Sequence, residues 1–350
     1  MHVAAASGTG PAMRPFVSIA MPALNEERYI ADAIRSIKPT TDAFDWEIIV
    51  LDGGSTDRTR AVVEGLAHRE PRIHLVANEQ RIQAAAVNIA ARRADPRAQY
   101  LVRADCHAAY PQCFVETCVE RLLEKRTASV VVPMIASGRG CIQKAIATAQ
   151  NSRLGNGGSA HRSSGWSGFV DHGHHAAFDR KAFLELGGYD ETFPCNEDAE
   201  FDRRLTTSGR RIFLDGAIPV EYFPRDRFRS LARQYFAYGR GRARTVLKHG
   251  AWPRLRQIAP VGVLLGCLAS LAATPADPRF LSLPFLYVFA CLTWGAVLAL
   301  KEARLCIVLS GFAAIVMHMS WGAGFIVELT MSVRRWSARP GPVADQGTAF

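Results

Sequence analysis

Three groups of acidic side chains in this sequence are placed where they could act on a ligand. Asp52 ends an apolar run and precedes two glycines. Glycines let backbone approach a ligand closely, and a carboxylate accepts from a hydroxyl or a ring N–H. Asp105 lies two residues before His107, and Glu197 and Asp198 are adjacent. Two other interpretations are open. Asp52 could have a structural role alone, as the cap of its turn, and the acidic pair could serve to stabilise the start of a helix without acting on a ligand.

Short apolar runs alternate with helical patterns and would position these side chains. The predicted strands are residues 16–22, 46–51, 73–77, 100–103 and 129–133, and the predicted helices are residues 26–36 (with Asn25 as N-cap), 58–67 and 83–93. Such alternation predicts a parallel sheet covered on both faces, with ligands at the carboxyl ends of the strands. Polar clusters follow Ala20, Leu51 and Arg103, at three such ends.

Two features that could indicate metal binding have other interpretations. Residues 170–175 contain His172, His174 and His175, but this spacing is not that of metal ligands on a helix, so we expect a loop followed by a strand. The eight cysteines form no Cys-x-x-Cys pair, which argues against a zinc site. Cysteines that stay reduced fit a cytoplasmic location for the part of the chain that precedes the apolar C-terminal segments.

The net charge of +10 is concentrated in one segment, residues 225–256, which holds ten Lys and Arg residues and one acid, Asp226. Such a charge suggests an anionic partner. The sequence has no helix-turn-helix or zinc-finger pattern, so we expect no nucleic acid partner. With 49% hydrophobic residues, the chain is neither disordered nor fibrous.

Three nearly uncharged apolar segments follow the basic one: residues 258–274, 280–300 and 305–329, with Glu328 as their only charged residue. The second and third are long enough to span a bilayer, whereas the first is marginal and contains Pro260. They predict a membrane domain with two to three transmembrane helices. The alternative is a set of buried core helices in a soluble domain.

The distribution of positive charge predicts the orientation in the membrane. The positive-inside rule places the basic segment and the head in the cytoplasm, in a multi-pass protein of the inner membrane. Three full spans would put Arg334, Arg335 and Arg339 outside, against the rule, and a re-entrant or interfacial segment would remove the conflict. Residues 1–15 have no apolar stretch, so we expect no signal peptide.

These patterns predict five regions along the chain. They are a flexible N-terminus (1–15), an α/β head (16–224), a basic amphipathic juxtamembrane segment (225–256), a membrane domain (257–330) and a C-terminal tail (331–350).

Four motifs that occur in order carry a resemblance to a known family. They are residues 17–30 (VSIAMPALNEERYI), 48–59 (IIVLDGGSTDRT), 100–107 (YLVRADCH) and 196–205 (NEDAEFDRRL). Over about residues 15–250 the chain resembles family 2 glycosyltransferases, which implies the GT-A fold, a Rossmann-like head with a mostly parallel sheet. Arg81-Ile82-Gln83, the Asp-x-His at Asp105 and residues 238–242 resemble the exopolysaccharide glucosyltransferases of the succinoglycan ExoA type.

The residue patterns and the resemblance together predict a set of residues that bind the nucleotide sugar. They are Pro22, Asn25, Glu26, Asp52, Gly54, Arg81, Asp105, Arg240 and Arg242. The family often has two adjacent acids where this chain has Asp52 and Gly53, so fewer nucleotide contacts are expected. Arg240 and Arg242 could hold the diphosphate bidentately. Alternatively, their segment could lie on anionic lipid, and both hypotheses stay open.

The resemblance also implies a divalent cation, Mn²⁺ or Mg²⁺, because Asp105 and His107 stand where the family has Asp-x-Asp. That motif holds the cation against the donor's diphosphate. An imidazole in place of the second carboxylate suits Mn²⁺ better than Mg²⁺.

The acidic pair matches the family's catalytic acids. By resemblance Asp198 is the general base, and Glu197 orients the acceptor or the base. Residues 170–175 would line the sugar pocket. A single displacement inverts the anomeric configuration. The favoured donor is UDP-glucose, and the expected acceptor is a lipid-linked oligosaccharide of an exopolysaccharide repeat unit, which explains a membrane anchor.

Two other functions remain compatible with the sequence. A polyisoprenyl-phosphate sugar transferase of the dolichol-phosphate-mannose synthase type would share the head and the membrane segments. A non-catalytic, membrane-bound nucleotide-binding scaffold is permitted by the departures at Gly53 and His107.

Overall fold

A computed structural model describes residues 14–158, 165–250 and 252–337, and these residues form two compact units. The first unit lies within residues 1–135 and 159–222, and the second within residues 136–158 and 223–350. Residues 136–158, predicted as part of the head, therefore belong with the C-terminal helices. Most of the predicted flexible N-terminus (residues 1–13) and of the tail (residues 338–350, with Arg339) lies outside the described residues.

The described strands are β1 (Phe16–Ala23), β2 (Asp45–Asp52), β3 (Ile73–Ala77), β4 (Ala98–Arg103), β5 (Ala108–Ala109), β6 (Ser129–Val132), β7 (Met134–Ala136), β8 (Gly168–Val170), β9 (His174–Asp179), β10 (Ile212–Leu214) and β11 (Val220–Tyr222). The described α-helices are α1 (Ile30–Ile37), α2 (Thr59–Ala67), α3 (Gln83–Arg93), α4 (Phe114–Lys125), α5 (Cys141–Asn151), α6 (Arg153–Asn156), α7 (Arg180–Glu185), α8 (Glu197–Thr207), α9 (Phe228–His249), α10 (Leu255–Ala273), α11 (Ser282–Glu302) and α12 (Leu309–Ser337).

The main sheet of the first unit is mostly parallel, as predicted. Its order is β3-β2-β1-β4-β9-β6-β10-β8, and a smaller sheet has the order β5-β11-β7. β1 pairs in parallel with β2 and β4, and β2 pairs in parallel with β3. The five predicted strands are β1, β2, β3, β4 and β6. β9, which was expected only as a strand after a loop, runs antiparallel between β4 and β6.

Both faces of the sheet are covered by hydrophobic clusters. Successive side chains of a strand point to opposite faces, so one strand contributes to both clusters. Val17, Ile19 and Met21 of β1 belong to one hydrophobic cluster. Ala20 of the same strand belongs to a second cluster, with side chains of α3 and α8. The near-continuous apolar runs that predicted buried strands therefore serve two cores.

The first helix begins later than predicted, and Asn25 is not its N-cap. α1 starts at Ile30, and its N-cap position is taken by Tyr29. Asn25 adopts a left-handed backbone with φ of 57°, and its Oδ1 accepts from the Thr56 amide at 2.8 Å. Its side chain caps a neighbouring turn, so it is not available to the helix.

The second unit contains three helical segments that are long and apolar enough to cross a membrane, by length and composition. They are Leu255–Ala273, Pro278–Glu302 and Leu305–Ser332, which correspond to the three predicted segments. α9 packs against α12 at two glycines. A Cβ on Gly239 would lie 2.0 Å from the carbonyl oxygen of Trp321, and one on Gly324 would lie 2.0 Å from that of Phe236. The two backbones therefore touch where only glycine fits.

Candidate active site

Strand register brings the predicted groups to one edge of the main sheet. Ala23 of β1 pairs with Asp52 of β2, and Ala20 of β1 pairs with Arg103 of β4. Since these strands are parallel, Asp52 and the residues after Arg103 lie at the same edge. β9 runs in the opposite direction, so its first residue, His174, starts at this edge as well.

Asp52 caps the glycine turn that follows it. Its carboxylate is buried and accepts from the amides of Gly54 at 3.2 Å and Ser55 at 3.1 Å, and from Arg60 Nη1 at 3.1 Å. The capping interpretation is therefore observed, and nucleotide binding by Asp52 stays a prediction. The Arg81 guanidinium packs on this turn, with Nη2 3.4 Å from where a Cβ on Gly54 would lie.

The loop after β1 joins this turn to the Asp105–His107 segment. Glu26 donates its amide hydrogen to Thr59 Oγ1 at 2.8 Å, and its Oε1 lies 3.3 Å from His107 Nδ1. The Pro22 carbonyl accepts from Cys106 Sγ at 3.2 Å. The structure thus brings the first motif, through Pro22 and Glu26, into contact with the third, through Cys106 and His107.

Asp105 is a buried carboxylate surrounded by donors. Its Oδ1 accepts from Gln83 Nε2 at 2.8 Å, and its Oδ2 lies 3.5 Å from His174 Nε2. Burial alone would raise the pKa of Asp105, but the charge of Arg103 and the interaction with His174 outweigh it, so the pKa lies well below its usual range. Burial also lowers the pKa of His174. Asp105 is therefore ionised at neutral pH.

The donor set at Asp105 and His107 fits a divalent cation that takes its other ligands from a bound molecule. One ionised carboxylate and one imidazole are suitable ligands, and the Glu26 carboxylate lies next to that imidazole. In the described part of the chain, no group of three or more His, Cys, Asp or Glu side chains is arranged to hold a metal by itself. The oxygens of a diphosphate would complete such a site.

Arg103 lies between two acidic centres, Asp105 on one side and the Glu197–Asp198 pair on the other. No role was predicted for it from the sequence. Its Nη1 donates to Glu197 Oε1 at 3.1 Å and to the Tyr189 hydroxyl at 3.3 Å. Its Nε lies 3.7 Å from Asp105 Oδ1, is buried and makes no hydrogen bond to any residue that the structure describes. An arginine at the end of an otherwise apolar strand was the available signal.

The acidic pair at the start of α8 has two different environments. Burial and the neighbouring charge of Asp198 raise the pKa of Glu197, although Arg103 opposes this shift. Burial would also raise the pKa of Asp198, but the charges of His172, His175 and Arg103 lower it. Two carboxyl groups with separated pKa values can take separate roles. Asp198 is ionised and able to accept a proton, whereas Glu197 is held by Arg103.

The third carboxylate of this helix, Asp202, is buried against two histidines. His175 Nε2 lies 2.7 Å from its Oδ1, and His172 Nδ1 lies 2.7 Å from its Oδ2. Burial would raise the pKa of Asp202, but the charge of His175 and the hydrogen bonds from both rings lower it to about 2. The histidine-rich stretch forms a loop and a strand, as expected. The rings of His172 and His175 contact the acidic helix, and the ring of His174 lies next to Asp105.

Arg240 and Arg242 belong to α9 of the second unit. Arg240 Nε donates to Glu328 Oε2 and Arg244 Nε donates to Glu328 Oε1, each at 2.7 Å. Glu328, on α12, is therefore neutralised within the second unit, which we call the helical unit. The predicted binding of diphosphate by Arg240 and Arg242 stays a prediction, and for Arg240 it competes with this ion pair.

Comparison with known proteins identifies the family. Residues 18–187 match Glycosyl transferase family 2. The chain is 41% identical over 324 residues to the succinoglycan biosynthesis protein ExoA of Rhizobium meliloti (strain 1021), covering 91% of this chain and 96% of that protein. The chain belongs to glycosyltransferase family 2. The predicted resemblance and the predicted enzyme class, a glycosyltransferase, are confirmed.

Two further proteins place this family 2 glycosyltransferase among its relatives. It is 24% identical over 309 residues to a dolichyl N-acetyl-alpha-D-glucosaminyl phosphate 3-beta-D-2,3-diacetamido-2,3-dideoxy-beta-D-glucuronosyltransferase of Methanococcus voltae, covering 79% of this chain and 94% of that protein. It shares its fold with the mannosyltransferase PcManGT of Pyrobaculum calidifontis, solved in complex with GDP-Man and Mn²⁺. The TM-score is 0.61 at 19% identity, over 94% of this chain and 89% of that one. The GT-A head is confirmed, and the three apolar helices fit a membrane protein.

Proposed function

We propose that this family 2 glycosyltransferase transfers glucose from UDP-glucose to a lipid-linked saccharide in exopolysaccharide synthesis. The observation that carries the proposal is the arrangement of two acidic centres around Arg103: Asp105 on one side, and Glu197 with Asp198 on the other. One centre suits a donor diphosphate and the other suits an acceptor hydroxyl. The name of the Rhizobium meliloti relative supports exopolysaccharide synthesis as the setting.

On the donor side, we propose that the nucleotide lies on the Asp52 turn beside Arg81. Asp105 and His107 would hold Mn²⁺ or Mg²⁺. When bound, such a cation neutralises the charge that develops on the leaving nucleoside diphosphate. The GDP-Man and Mn²⁺ of the Pyrobaculum calidifontis complex are compatible with this donor chemistry.

On the acceptor side, we propose that Asp198 is the general base. It takes the proton of the acceptor hydroxyl while that oxygen forms a bond to the anomeric carbon and the bond to the nucleoside diphosphate breaks. The attack comes from the face opposite the leaving group, so the configuration inverts. Glu197 is paired with Arg103 and is suited to orienting groups rather than to accepting the proton.

The helical unit supports a lipid-linked acceptor. Three apolar segments and the basic helix α9 suit a membrane and its phosphate groups. The Methanococcus voltae relative is named for a dolichyl-phosphate-linked acceptor, which supports the same substrate class. By the positive-inside rule we propose that the head faces the cytoplasm at the inner membrane.

A donor and acceptor screen on membranes tests the proposal. UDP-glucose, UDP-galactose and GDP-mannose are offered with polyprenyl-diphosphate-linked saccharide or with polyprenyl phosphate, in Mn²⁺, Mg²⁺ or EDTA. We expect UDP release and a longer lipid-linked saccharide with UDP-glucose, and loss of both with EDTA. Transfer to polyprenyl phosphate alone would support the lipid-phosphate transferase instead. Absence of nucleotide release with every pair would support the scaffold.

The base assignment has its own test. Asp198→Asn should abolish transfer while binding of UDP, measured by calorimetry, is kept. Asp32→Asn is a matched control, because Asp32 is an exposed aspartate on α1 whose partner is Arg35. Full activity of Asp198→Asn would contradict the assignment.

A further inference from the structure

A buried chain of hydrogen bonds runs from Arg103 to Asp202 behind the acidic pair. Arg103 Nη1 donates to the Tyr189 hydroxyl at 3.3 Å, the hydroxyl lies 2.5 Å from His175 Nδ1, and His175 Nε2 lies 2.7 Å from Asp202 Oδ1. The side chains of His175 and Asp202 are 0% and 1% exposed. The proposed reaction uses none of Tyr189, His175 and Asp202.

The directions of these hydrogen bonds follow from the chemistry of the groups. Burial raises the pKa of Tyr189, so its hydroxyl keeps its proton and donates it to His175 Nδ1. His175 Nε2 then donates to the carboxylate of Asp202. Each member between Arg103 and Asp202 therefore has one donor and one acceptor in use, which fixes the Asp202 carboxylate.

The other oxygen of Asp202 fixes a second ring, that of His172. Oδ2 accepts from His172 Nδ1 at 2.7 Å and from the Gly173 amide at 3.2 Å. Because an ionised carboxylate only accepts, His172 carries a hydrogen on Nδ1, and its basic nitrogen is Nε2. His172 is 19% exposed, so, unlike His175, it can exchange protons with solvent.

Asp202 follows Asp198 by one helical turn, which places the two carboxylates on one face of α8. Because His172 Nδ1 lies 2.7 Å from Asp202 Oδ2, the ring of His172 lies beside this face of the helix. A carboxylic acid formed at Asp198 by the proposed reaction has to lose its proton before the next turnover. An imidazole whose second nitrogen is held by a carboxylate suits that task, because the carboxylate stabilises the imidazolium.

We propose that His172, held by Asp202, accepts from Asp198 the proton that the base has taken from the acceptor hydroxyl. The O–H bond of Asp198 breaks, an N–H bond forms at His172 Nε2, and water then takes that proton. His172 acts through Asp198 and is thus a positioning residue. The inference rests on the proposed function and adds a residue to its acceptor site.

Several titratable and charged groups lie around His172 and contribute to the pH dependence of the reaction. They are Asp198 and Asp202 from α8, His174 and His175 from β9, and, through the buried chain, Tyr189, Arg103 and Glu197.

His172→Gln is the decisive variant, because an amide can still donate to Asp202 but has no basic nitrogen. In the full chain on membranes, we expect kcat to fall about 10- to 100-fold with KM for UDP-glucose unchanged. We also expect the loss to shrink as the pH falls, because protonation of His172 in the wild type then removes the basic nitrogen that the variant lacks. His74→Gln is the matched control, because His74 is a half-exposed histidine on β3.

Chemical rescue separates proton transfer from a structural role. Free imidazole should restore part of the activity of His172→Ala and none of that of Asp198→Asn. Wild-type kcat in His172→Gln, or an activity loss in His172→Ala that imidazole leaves unchanged, overturns the relay. If Asp198→Asn itself transfers sugar, the proposed function fails and the relay with it. An inactive Asp198→Asn beside a fully active His172→Gln removes the relay alone.

Discussion

Arg103 and Glu197 form a buried ion pair, with Arg103 Nη1 3.1 Å from Glu197 Oε1 and both side chains 5% exposed. Arg103 comes from the end of β4 and Glu197 from the first turn of α8. A charge buried at such a place is tolerated only with its partner. The pair therefore holds the start of the acidic helix against the edge of the sheet.

Removal of one member of this pair should be strongly destabilising. Arg103→Met leaves Glu197 buried without a cation, and we expect a loss of about 3–5 kcal/mol in the free energy of unfolding of the head. Arg103→Met combined with Glu197→Gln should recover part of this loss, because no charge is then left unpaired. Thermal and denaturant unfolding of the single and double variants measures the coupling, and strictly additive effects would contradict it.

Asp52→Asn separates capping of the turn from binding of nucleotide. Asparagine keeps one accepting oxygen and loses the other, which accepts from Gly54 and Arg60, so we expect the free energy of unfolding to fall by about 1–3 kcal/mol. The loss of the charge should weaken UDP binding about 10-fold or more, as expected for a hydrogen bond to a charged group. Calorimetric titration with UDP gives the answer. Unchanged UDP affinity would mean that Asp52 only caps its turn.

His107→Asp should change the metal preference, because it creates the Asp-x-Asp pattern. Oxygen ligands suit Mg²⁺, whereas imidazole suits Mn²⁺. We expect Mg²⁺ to support transfer better in His107→Asp than in the wild type, and His107→Ala to bind Mn²⁺ about 10-fold more weakly in the presence of UDP. Electron paramagnetic resonance of Mn²⁺ reports the affinity directly. Equal Mn²⁺ affinity in all three proteins would exclude His107 as a ligand.

Glu328→Leu should loosen the packing of α9 on α12. The change leaves Arg240 and Arg244 facing a membrane helix without their anion, and we expect a lower melting temperature in detergent. Glu302→Gln is the control, because Glu302 is exposed at the end of α11. If both variants melt at the wild-type temperature, the ion pair contributes nothing to the packing of these helices.

Strand positions were predictable because burial on both faces leaves a clear local signal. β3 and α3 have the predicted bounds, and β1, β2, β4 and β6 differ from prediction by no more than two residues at either end. The predicted start of α1 was wrong. Asn25 has a side chain that often caps helices, but its partner here is Thr56, which lies in another turn. A local pattern does not contain a partner that is distant in sequence.

The histidine-rich stretch shows the same limit at the site. A loop and a strand were expected there, but nothing in residues 170–175 indicates that His172 and His175 bind the two oxygens of one carboxylate on α8. Similarly, Gln83 belongs to a motif noticed in the sequence, and only the fold shows that it donates to Asp105.

The sequence alone determined the family, the mostly parallel sheet, the apolar helices and the positions of the acidic residues, because short motifs and hydrophobic periodicity are local properties. The tertiary structure alone decided which of these acids are neutralised and by what. Arg103 forms an ion pair with Glu197, two histidines contact the carboxylate of Asp202, and Arg240 and Arg244 form ion pairs with Glu328. Charge compensation in a buried site depends on distances of a few ångströms between residues far apart in the chain, and those distances exist only after the strands and helices have packed.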